Sequence, residues 1–212
     1  MSLVEKVKSL VSASRFICRN IFYSLRVDKF EVVDLGVFTM GPLNMKYFKE
    51  VIELYADLHD GKPLDRTKSL LLKLVGTKFC YIVKSSDGRI IGMGLYYFNK
   101  RDIRSHAKLC REICRKRDIV QRTIHEGYTG LNEEYRGMGI GTRARHKALE
   151  HFAKSEFLTG VSPRVDIDNL PSLKGNVKLG FEIKEEYWIK TRRKKESTLF
   201  ANCRGTENRV PE

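Results

Sequence analysis

The first thirty residues repeat apolar side chains three and four residues apart, which is the spacing of one face of an α-helix. Basic side chains, among them Lys6, Lys8 and Arg15, lie mostly off this stripe. Such a helix packs against the following domain, contacts a partner, lies on an anionic membrane surface or serves as an organellar presequence. We predict packing or a partner contact for residues 1–29 and keep peripheral membrane contact or targeting as the alternative. The stripe consists of Leu3, Val7, Leu10, Val11, Ser14, Ile17, Ile21 and Leu25.

From residue 30 onward, two patterns follow one another along the chain. In one, apolar and polar residues alternate, and in the other, apolar residues recur at helical spacing. The first pattern predicts strands near 30–40, 79–84, 89–98, 123–131, 161–169, 181–191 and 197–203. The second predicts helices over 44–58, after Pro63, from Thr142 and over 169–179. This order predicts one α/β domain (an α+β mixed sheet) over residues 30–204, with a disordered tail at 205–212.

Two residues add detail to this order. Asp87, followed by Gly88, predicts a tight hairpin between the second and third strands. Pro163 cannot donate a ladder hydrogen bond, so the strand that contains it is predicted to be incompletely paired.

The charge of the 212-residue chain is strongly positive, at +14. It favours an anionic partner: a phosphate cofactor, a nucleotide-linked substrate, nucleic acid or acidic lipid. The segment 99–122 holds nine Lys or Arg residues against three acids. We interpret this segment as a solvated face, with a clamp for an anionic substrate as the alternative.

Five cysteines form neither a disulfide framework nor a C-x-x-C pair, since Cys110 and Cys114 are four residues apart. No cluster of Cys and His completes a metal site, so we predict no metal. Unpaired thiols favour a reducing compartment, and we predict a cytoplasmic location. No apolar run reaches the roughly 18 residues of a membrane-spanning helix.

The sequence R-G-M-G-I-G-T at residues 136–142 lies between a predicted strand and a predicted helix. Backbone N–H groups at a helix start, together with the helix dipole, make such a glycine loop an anion site. It is not a P-loop, because no Lys-Ser or Lys-Thr follows the last glycine. The glycine spacing also departs from the dinucleotide-binding fingerprint. The loop alone therefore does not identify the anion, and a second motif is required.

Two motifs about thirty residues apart provide that identification. Residues 136–141 fit the pattern (Gln or Arg)-x-x-Gly-x-(Gly or Ala), and residues 169–181 fit N-x-x-(A/S)-x-x-x-x-x-K-L-G-F. Together they resemble the GNAT N-acetyltransferase superfamily, and the likeness covers roughly residue 32 to the last hairpin. The resemblance implies a central mixed sheet that splays between its fourth and fifth strands, here 123–131 and 161–168, with acetyl-CoA as co-substrate in the gap.

The resemblance also implies the residues that hold acetyl-CoA. Backbone groups near Thr129 and Leu131 would pair with the pantetheine arm and the thioester carbonyl, and Asn169 and Ser172 would touch its other side. Backbone amides would hold the pyrophosphate, with Arg136 nearby. These amides belong to Gly137, Met138, Gly139, Ile140, Gly141 and Thr142.

Catalysis in this superfamily is mostly direct attack of the acceptor on the thioester, helped by a base and sometimes an acid. His125 and Glu126 are the candidates for the base, and they point to opposite faces of a regular strand. Glu126 serves instead of His125 if a bulge shifts the register. The usual acid is a tyrosine seven residues after the motif asparagine, but Asn176 stands there. His146 and His151 follow the glycine cluster and are predicted to be surface or packing residues.

A weaker resemblance, carried by H-E-G-Y-T-G-L at 125–131 and S-L-K-G-N-V-K-L-G-F at 172–181, is to acetyltransferases of bacterial surface-polysaccharide loci. It implies an amino sugar or a nucleotide-linked amino sugar as the acceptor, and such an anionic small molecule suits the positive charge. The alternatives are a protein or peptide N-acetyltransferase and a non-catalytic CoA- or nucleic-acid-binding module. A polyamine would be repelled by the net charge unless acidic residues line the cleft. The sequence is also compatible with a homodimer.

Overall fold

The computed structural model describes residues 2–99, 122–189 and 194–202. Its strands are β1 Val33–Asp34, β2 Thr39–Pro42, β3 Cys80–Lys84, β4 Ile90–Tyr97, β5 Thr123–Leu131, β6 Gly160–Asp166, β7 Glu182–Ile189 and β8 Lys194–Asn202. Its α-helices are α1 Leu3–Ser24, α2 Phe48–Asp57, α3 Arg66–Phe79, α4 Ile140–Ala153 and α5 Leu170–Lys178.

The strands form one mixed sheet in the order β1-β2-β3-β4-β5-β6-β8-β7. The β5–β6 pair is parallel and the other neighbouring pairs are antiparallel. Helices cover both faces: Tyr96 of β4 packs against Phe152 of α4, and the next residue, Tyr97, packs against Phe16 of α1. Every residue of β4 is therefore buried. The predicted mixed α/β sheet is confirmed.

The predicted strand over 30–40 is wrong in one respect, because it is two short strands joined by a tight turn. Gly36 has φ +89°, a conformation that favours glycine. The Leu35 N–H donates to the Phe38 carbonyl across the turn, and the Gly36 N–H donates to the Asp34 carboxylate. The alternating pattern continued through the turn and hid it.

Capping side chains stand at the N-terminal ends of the two helical segments that follow β2. Asn44 caps a short 3₁₀ turn at Met45–Tyr47 that leads into α2. Asp65 caps α3 by accepting from the Lys68 N–H. The β3–β4 hairpin turns at Gly88, which has φ +84°, as the sequence predicts.

Helix α1 packs against the domain, but not through the stripe that the sequence singles out. Its inner face carries Phe16, Asn20, Tyr23 and Ser24, and Asn20 is fully buried. Seven of the eight residues of the stripe are exposed instead, and Ile17 is half-buried, so the expectation that the stripe packs on the domain is wrong, whereas a partner contact stays a prediction. A polar side chain, Asn20, makes the deepest contact, and the helical spacing alone did not indicate that. None of the helices in the described ranges is both long and apolar enough to cross a bilayer.

Three sequence predictions lie largely outside the described residues. They are the basic segment 99–122, of which only the two ends are described, the link between the strands predicted over 181–191 and 197–203, and the tail at 205–212.

Candidate active site

Strands β5 and β6 separate halfway along their length. In the described part of the sheet they pair from Thr123 opposite Gly160 to Glu126 opposite Pro163. Pro163 has no N–H to continue the ladder. Beyond that point β5 pairs with β4, and β6 with β8. These are the fourth and fifth strands of the sequence prediction, and the gap between them lies where the resemblance implies it.

The backbone of Thr129 and Leu131 faces this gap. The Asn132 N–H, directly after β5, donates to the Ile91 carbonyl of β4, and backbone groups alternate in direction along a strand. The groups of Leu131 and Thr129 therefore point away from β4. In agreement, the Leu131 carbonyl accepts from the Arg136 side chain, with 3.3 Å between Nε and O. The two residues proposed to contact pantetheine thus have suitably directed backbone groups.

The glycine cluster forms the sharp entry into α4. Gly137 and Gly139 have φ values of +79° and +73°, and Gly139 is the N-cap. The Arg143 N–H donates to the Gly139 carbonyl, which closes the first turn of the helix. The preceding amides of the first turn, including those of Ile140 and Gly141, have no partner four residues back within the helix. The loop and the helix start, residues 136–142, can together bind a pyrophosphate, and we call them the cradle. This arrangement fits the pyrophosphate of CoA.

Gly141 brings the cradle close to the gap. A Cβ on Gly141 would lie 3.2 Å from Leu131 Cδ1, closer than ordinary van der Waals contact. The glycine therefore lets α4 approach the end of β5. Ile140 is fully buried and anchors the first turn, whereas Met138 in the loop is exposed.

Across the gap, Asn169 and Ser172 form the start of α5. The Asn169 side chain accepts from the Ser172 N–H at 3.2 Å, so it caps the helix. The Asn169 N–H donates to the Asp166 carbonyl at the end of β6. Both predicted contact residues thus stand at the C-terminal end of the strand that borders the gap.

Glu126 belongs to a buried charge network under the gap. Arg145 donates to its two carboxylate oxygens from Nε and Nη2, both at 2.7 Å, and also from Nη2 to the side-chain Oδ1 of Asn176 at 2.6 Å. The side chains of Glu126 and Arg145 are only 4% and 13% exposed. Asn176 is buried too and donates to the Ser172 carbonyl. The network ties β5, α4 and α5 together on one face of the sheet.

Sequence reasoning missed Arg145, although a signal was present. The apolar stripe of α4 contains Ala148, Leu149 and Phe152, and Arg145 stands three, four and seven residues before them. An arginine inside the apolar stripe of a helix needs a buried acidic partner. The network also accounts for the asparagine at position 176, where the resemblance implies a tyrosine. The Asn176 side chain accepts from Arg145 and donates to the Ser172 carbonyl.

His125 points to the opposite face, as the alternation of the strand predicts. It packs edge-on against Tyr97, and its Nδ1 lies 2.7 Å from the Ser162 carbonyl oxygen. A carbonyl only accepts, so Nδ1 carries the hydrogen and Nε2 keeps the basic lone pair. Burial lowers the pKa of His125 to about 4, so the ring is neutral at physiological pH.

A β-bulge lies beside these two residues. Leu95 pairs with Tyr128 and Tyr96 pairs with Glu126, which leaves Gly127 as the extra residue of β5. The bulge does not turn Glu126 toward His125, because residues 125 and 126 still pair with consecutive residues of β4. A Cβ on Gly127 would collide with the Tyr97 ring, so this bulge requires glycine.

An aromatic cluster covers the gap on the His125 face, and sequence reasoning did not find it. The His59 ring stacks on Tyr55 at 3.9 Å and contacts Tyr128 at 4.2 Å between centroids. Burial raises the pKa of Tyr128 to about 12, so its phenol stays protonated. The two histidines that follow the glycine cluster behave as predicted: His146 pairs with Glu150 at the surface, and His151 stacks on Phe30.

A cavity of about 500 Å³ opens beside the cradle. Four acidic residues line it: two from the end of α2 and the turn that follows, and two from the loop after β5. Arg136 lies on the same wall. The lining residues are Asp57, Leu58, Asp60, Asn132, Glu133, Glu134 and Arg136.

Solved structures of acetyltransferases share this fold. Arabidopsis thaliana NAA60 in complex with acetyl-CoA is 14% identical, with a TM-score of 0.59 over 78% of this chain and 98% of that chain. Ard1 from Thermoplasma volcanium is 14% identical, with a TM-score of 0.58 over 79% and 98%. Spermidine N-acetyltransferase from Vibrio cholerae, a dodecamer, is 14% identical, with a TM-score of 0.57 over 82% and 99%. No curated protein sequence is significantly similar to this chain.

The family comparison reaches further than the fold. The sequence pattern of the Acetyltransferase (GNAT) family matches residues 48–181, from the start of α2 through α5, and includes both motifs and the gap between β5 and β6. Members of this family are acyl-CoA-dependent N-acetyltransferases with acetyl-CoA as co-substrate. The chain belongs to the Acetyltransferase (GNAT) family.

Proposed function

We propose that this chain transfers the acetyl group of acetyl-CoA to a primary amine that approaches from the face of β5 carrying His125 and Tyr128. The observation that carries the proposal is the position of the gap. It opens at Gly127, between the cradle of α4 on one side and the His125 face on the other. A thioester held in the gap would meet an acceptor at this point.

We assign binding of acetyl-CoA to the residues around the gap. The amides of Gly137 to Thr142 would hold the pyrophosphate beside Arg136. The backbone of Thr129 and Leu131 would align the pantetheine, with Asn169 and Ser172 on the other wall. A backbone N–H aimed at the thioester oxygen would stabilise the negative charge that develops there during attack.

Of the two candidate bases, we assign proton removal to His125. Both oxygens of Glu126 already accept from Arg145, and they lie on the face away from Tyr97. His125 is neutral and keeps its basic lone pair on Nε2. An amine nitrogen becomes much more acidic once it has attacked a carbonyl, so even this weak base can take its proton at that stage. Glu126 would instead position α4 through Arg145.

Two acceptor classes have support. An amino sugar, free or nucleotide-linked, follows from the weaker sequence resemblance and from the net charge of +14. A cationic amine, such as a polyamine or a basic peptide, is favoured by the acidic cavity beside the cradle. A polyamine acceptor requires acidic residues in the cleft, and the acidic lining of this cavity supports that class. Solved relatives of this fold include a spermidine acetyltransferase and NAA60 with a bisubstrate analogue.

A panel assay tests these assignments. Release of CoA thiol from acetyl-CoA would be followed with hexosamines, a nucleotide-linked amino sugar, spermidine and short peptides with free N-termini. Transfer to the sugars supports the first class, and transfer to spermidine or basic peptides supports the second. Tight CoA binding without transfer to any of them would favour the non-catalytic module and overturn the proposal. Detection of the protein itself in the cytoplasmic fraction of its cells would test the proposed location.

A further inference from the structure

The outward face of helix α1 is largely apolar, with the exposed Ser14 near its centre. Successive helical residues are 100° apart, so residues at steps of three and four share one side. The apolar residues on this side are exposed, with values of 78% for Leu3, 68% for Leu10 and 74% for Leu25. The face consists of Leu3, Val4, Val7, Leu10, Val11, Cys18, Ile21, Phe22 and Leu25.

This orientation is held by polar bonds on the opposite side of α1. The Asn20 side chain accepts from the Phe98 N–H at 2.7 Å and donates to the Phe98 carbonyl at 3.2 Å. Lys78 of α3 donates to the Ser24 carbonyl. Tyr23 packs on Phe98 and Phe157. The helix cannot turn its apolar face inward without breaking these contacts.

Basic side chains border the outward face. Lys8 and Arg15 fall along one edge of it, seven residues apart, Arg26 follows the C-terminal end of the helix, and all three are exposed. Lys6 lies on the other edge and is also exposed. Helix α1 has one acidic residue, Glu5, which is engaged in the N-terminal capping box with Ser2. The face is therefore apolar in the middle and positive at its margins.

We propose that the outward face of α1 binds an anionic lipid surface. A helix of this pattern lies in the plane of the membrane interface, with its apolar side chains among the acyl chains and its basic side chains at the head groups. A second copy of the chain fits this face less well. Two copies joined here would bring their basic margins together, on molecules that each carry a charge of +14. The amphipathic helix would place the acetyltransferase domain at the membrane without spanning it.

Co-sedimentation with vesicles tests this proposal independently of acetyl transfer. The 212-residue chain should bind vesicles of phosphatidylcholine containing about one third phosphatidylglycerol, bind pure phosphatidylcholine far more weakly, and be released by salt. Leu10→Glu should weaken binding at least about tenfold, because it places a charge at the centre of the apolar face. Val37→Glu is the matched control: Val37 is 70% exposed, lies in the turn after β1, and undergoes the same change of charge. Its binding should equal that of the wild type.

Three results would overturn the proposal. One is the absence of wild-type binding to anionic vesicles. Another is an equal loss in both glutamate variants, which would show an effect of net charge alone. The third is a concentration-dependent dimer, formed without lipid and abolished by Leu10→Glu, since the occupant would then be a second copy. Unchanged circular dichroism and acetyl-CoA affinity in Leu10→Glu would exclude misfolding as the cause.

Discussion

Three residues from distant parts of the chain, Glu126, Arg145 and Asn176, form the buried network that supports the candidate site. An ion pair in this position stabilises the fold only while both charges are present, since a lone buried charge is costly. Its bidentate geometry also fixes the angle at which α4 leaves the cradle. The network thus links single side chains to the placement of the whole glycine loop.

Removing the charge of Glu126 should destabilise the protein. We expect Glu126→Gln to lower the free energy of unfolding by about 3 kcal/mol, because Arg145 is left charged and buried without its counter-ion. Urea denaturation measures the change. Glu150→Gln is the control, since Glu150 pairs with Lys147 while its side chain is 43% exposed, and it should cost less than about 1 kcal/mol. Unchanged stability with a selective loss of kcat would instead make Glu126 the base.

The depressed pKa of His125 makes stability depend on pH. Its pKa is about 4 in the folded state and 6.5 in the reference state, so between these values the unfolded chain binds the proton more readily. The free energy of unfolding should therefore fall as pH drops from 6.5 to 4, by up to about 3 kcal/mol, and show no such loss above 6.5. Burial also lowers the pKa of His151, which adds to the slope in the same direction.

His125→Asn should flatten this profile. Asparagine does not titrate in this range and its amide can still donate to the Ser162 carbonyl. Urea denaturation of both proteins at several pH values gives the comparison. A variant that retains the full wild-type slope would show that His125 is not its source.

At the scale of elements, glycines have two structural roles in the connection between β5 and α4: positive φ angles and close packing. Gly137 and Gly139 allow left-handed backbone conformations that expose amides, while Gly141 allows close packing against Leu131. The local sequence thus builds the loop, and the contact with β5 brings it to the gap.

Substitution at the N-cap of α4 should weaken acetyl-CoA binding. We expect Gly139→Asp to raise the Kd at least tenfold, or about 1.4 kcal/mol, because a carboxylate would oppose the pyrophosphate at the helix start. Gly88→Asp is a matched control: it also has positive φ and open space around an added Cβ, but lies in the β3–β4 turn. Isothermal titration calorimetry gives both Kd values. Equal effects of the two substitutions would mean that backbone strain, and not the anion site, is responsible.

At the scale of the whole molecule, one buried asparagine attaches α1 to the sheet. Asn20 bonds both backbone groups of Phe98, the residue that follows β4. These bonds connect parts of the chain that are 78 residues apart. The orientation of α1, and with it the exposure of its apolar face, depends on this attachment.

Loss of the Asn20 side chain should loosen α1. Asn20→Ala leaves the buried Phe98 N–H and carbonyl without these partners, and we expect a loss of about 2–4 kcal/mol in the free energy of unfolding. Hydrogen exchange should show faster exchange in α1 than in α4. Ser12→Ala, at an exposed position of the same helix, is the control and should change neither quantity. Wild-type protection of α1 in Asn20→Ala would show that its other contacts suffice.

The sequence by itself determined the features that depend on neighbouring residues. The β3–β4 hairpin, the strand from 123 to 131, the start of α4 and the cap of α5 follow from local spacing and from residues such as Gly88, Gly139 and Asn169, because hydrogen bonds within a few residues decide them. The two motifs likewise indicated acetyl-CoA as the co-substrate. The turn at Gly36 was missed because the apolar alternation runs through it.

Only the tertiary structure decided which distant residues meet. Arg145 reaches Glu126 across 19 positions and Asn176 across 31, and His59 reaches Tyr128 from another helix. The same holds for α1, whose helical stripe was evident although its direction was not. The free energy of burial depends on what a face packs against, and for α1 the fully buried Asn20 outweighs the apolar stripe because it satisfies the backbone of Phe98.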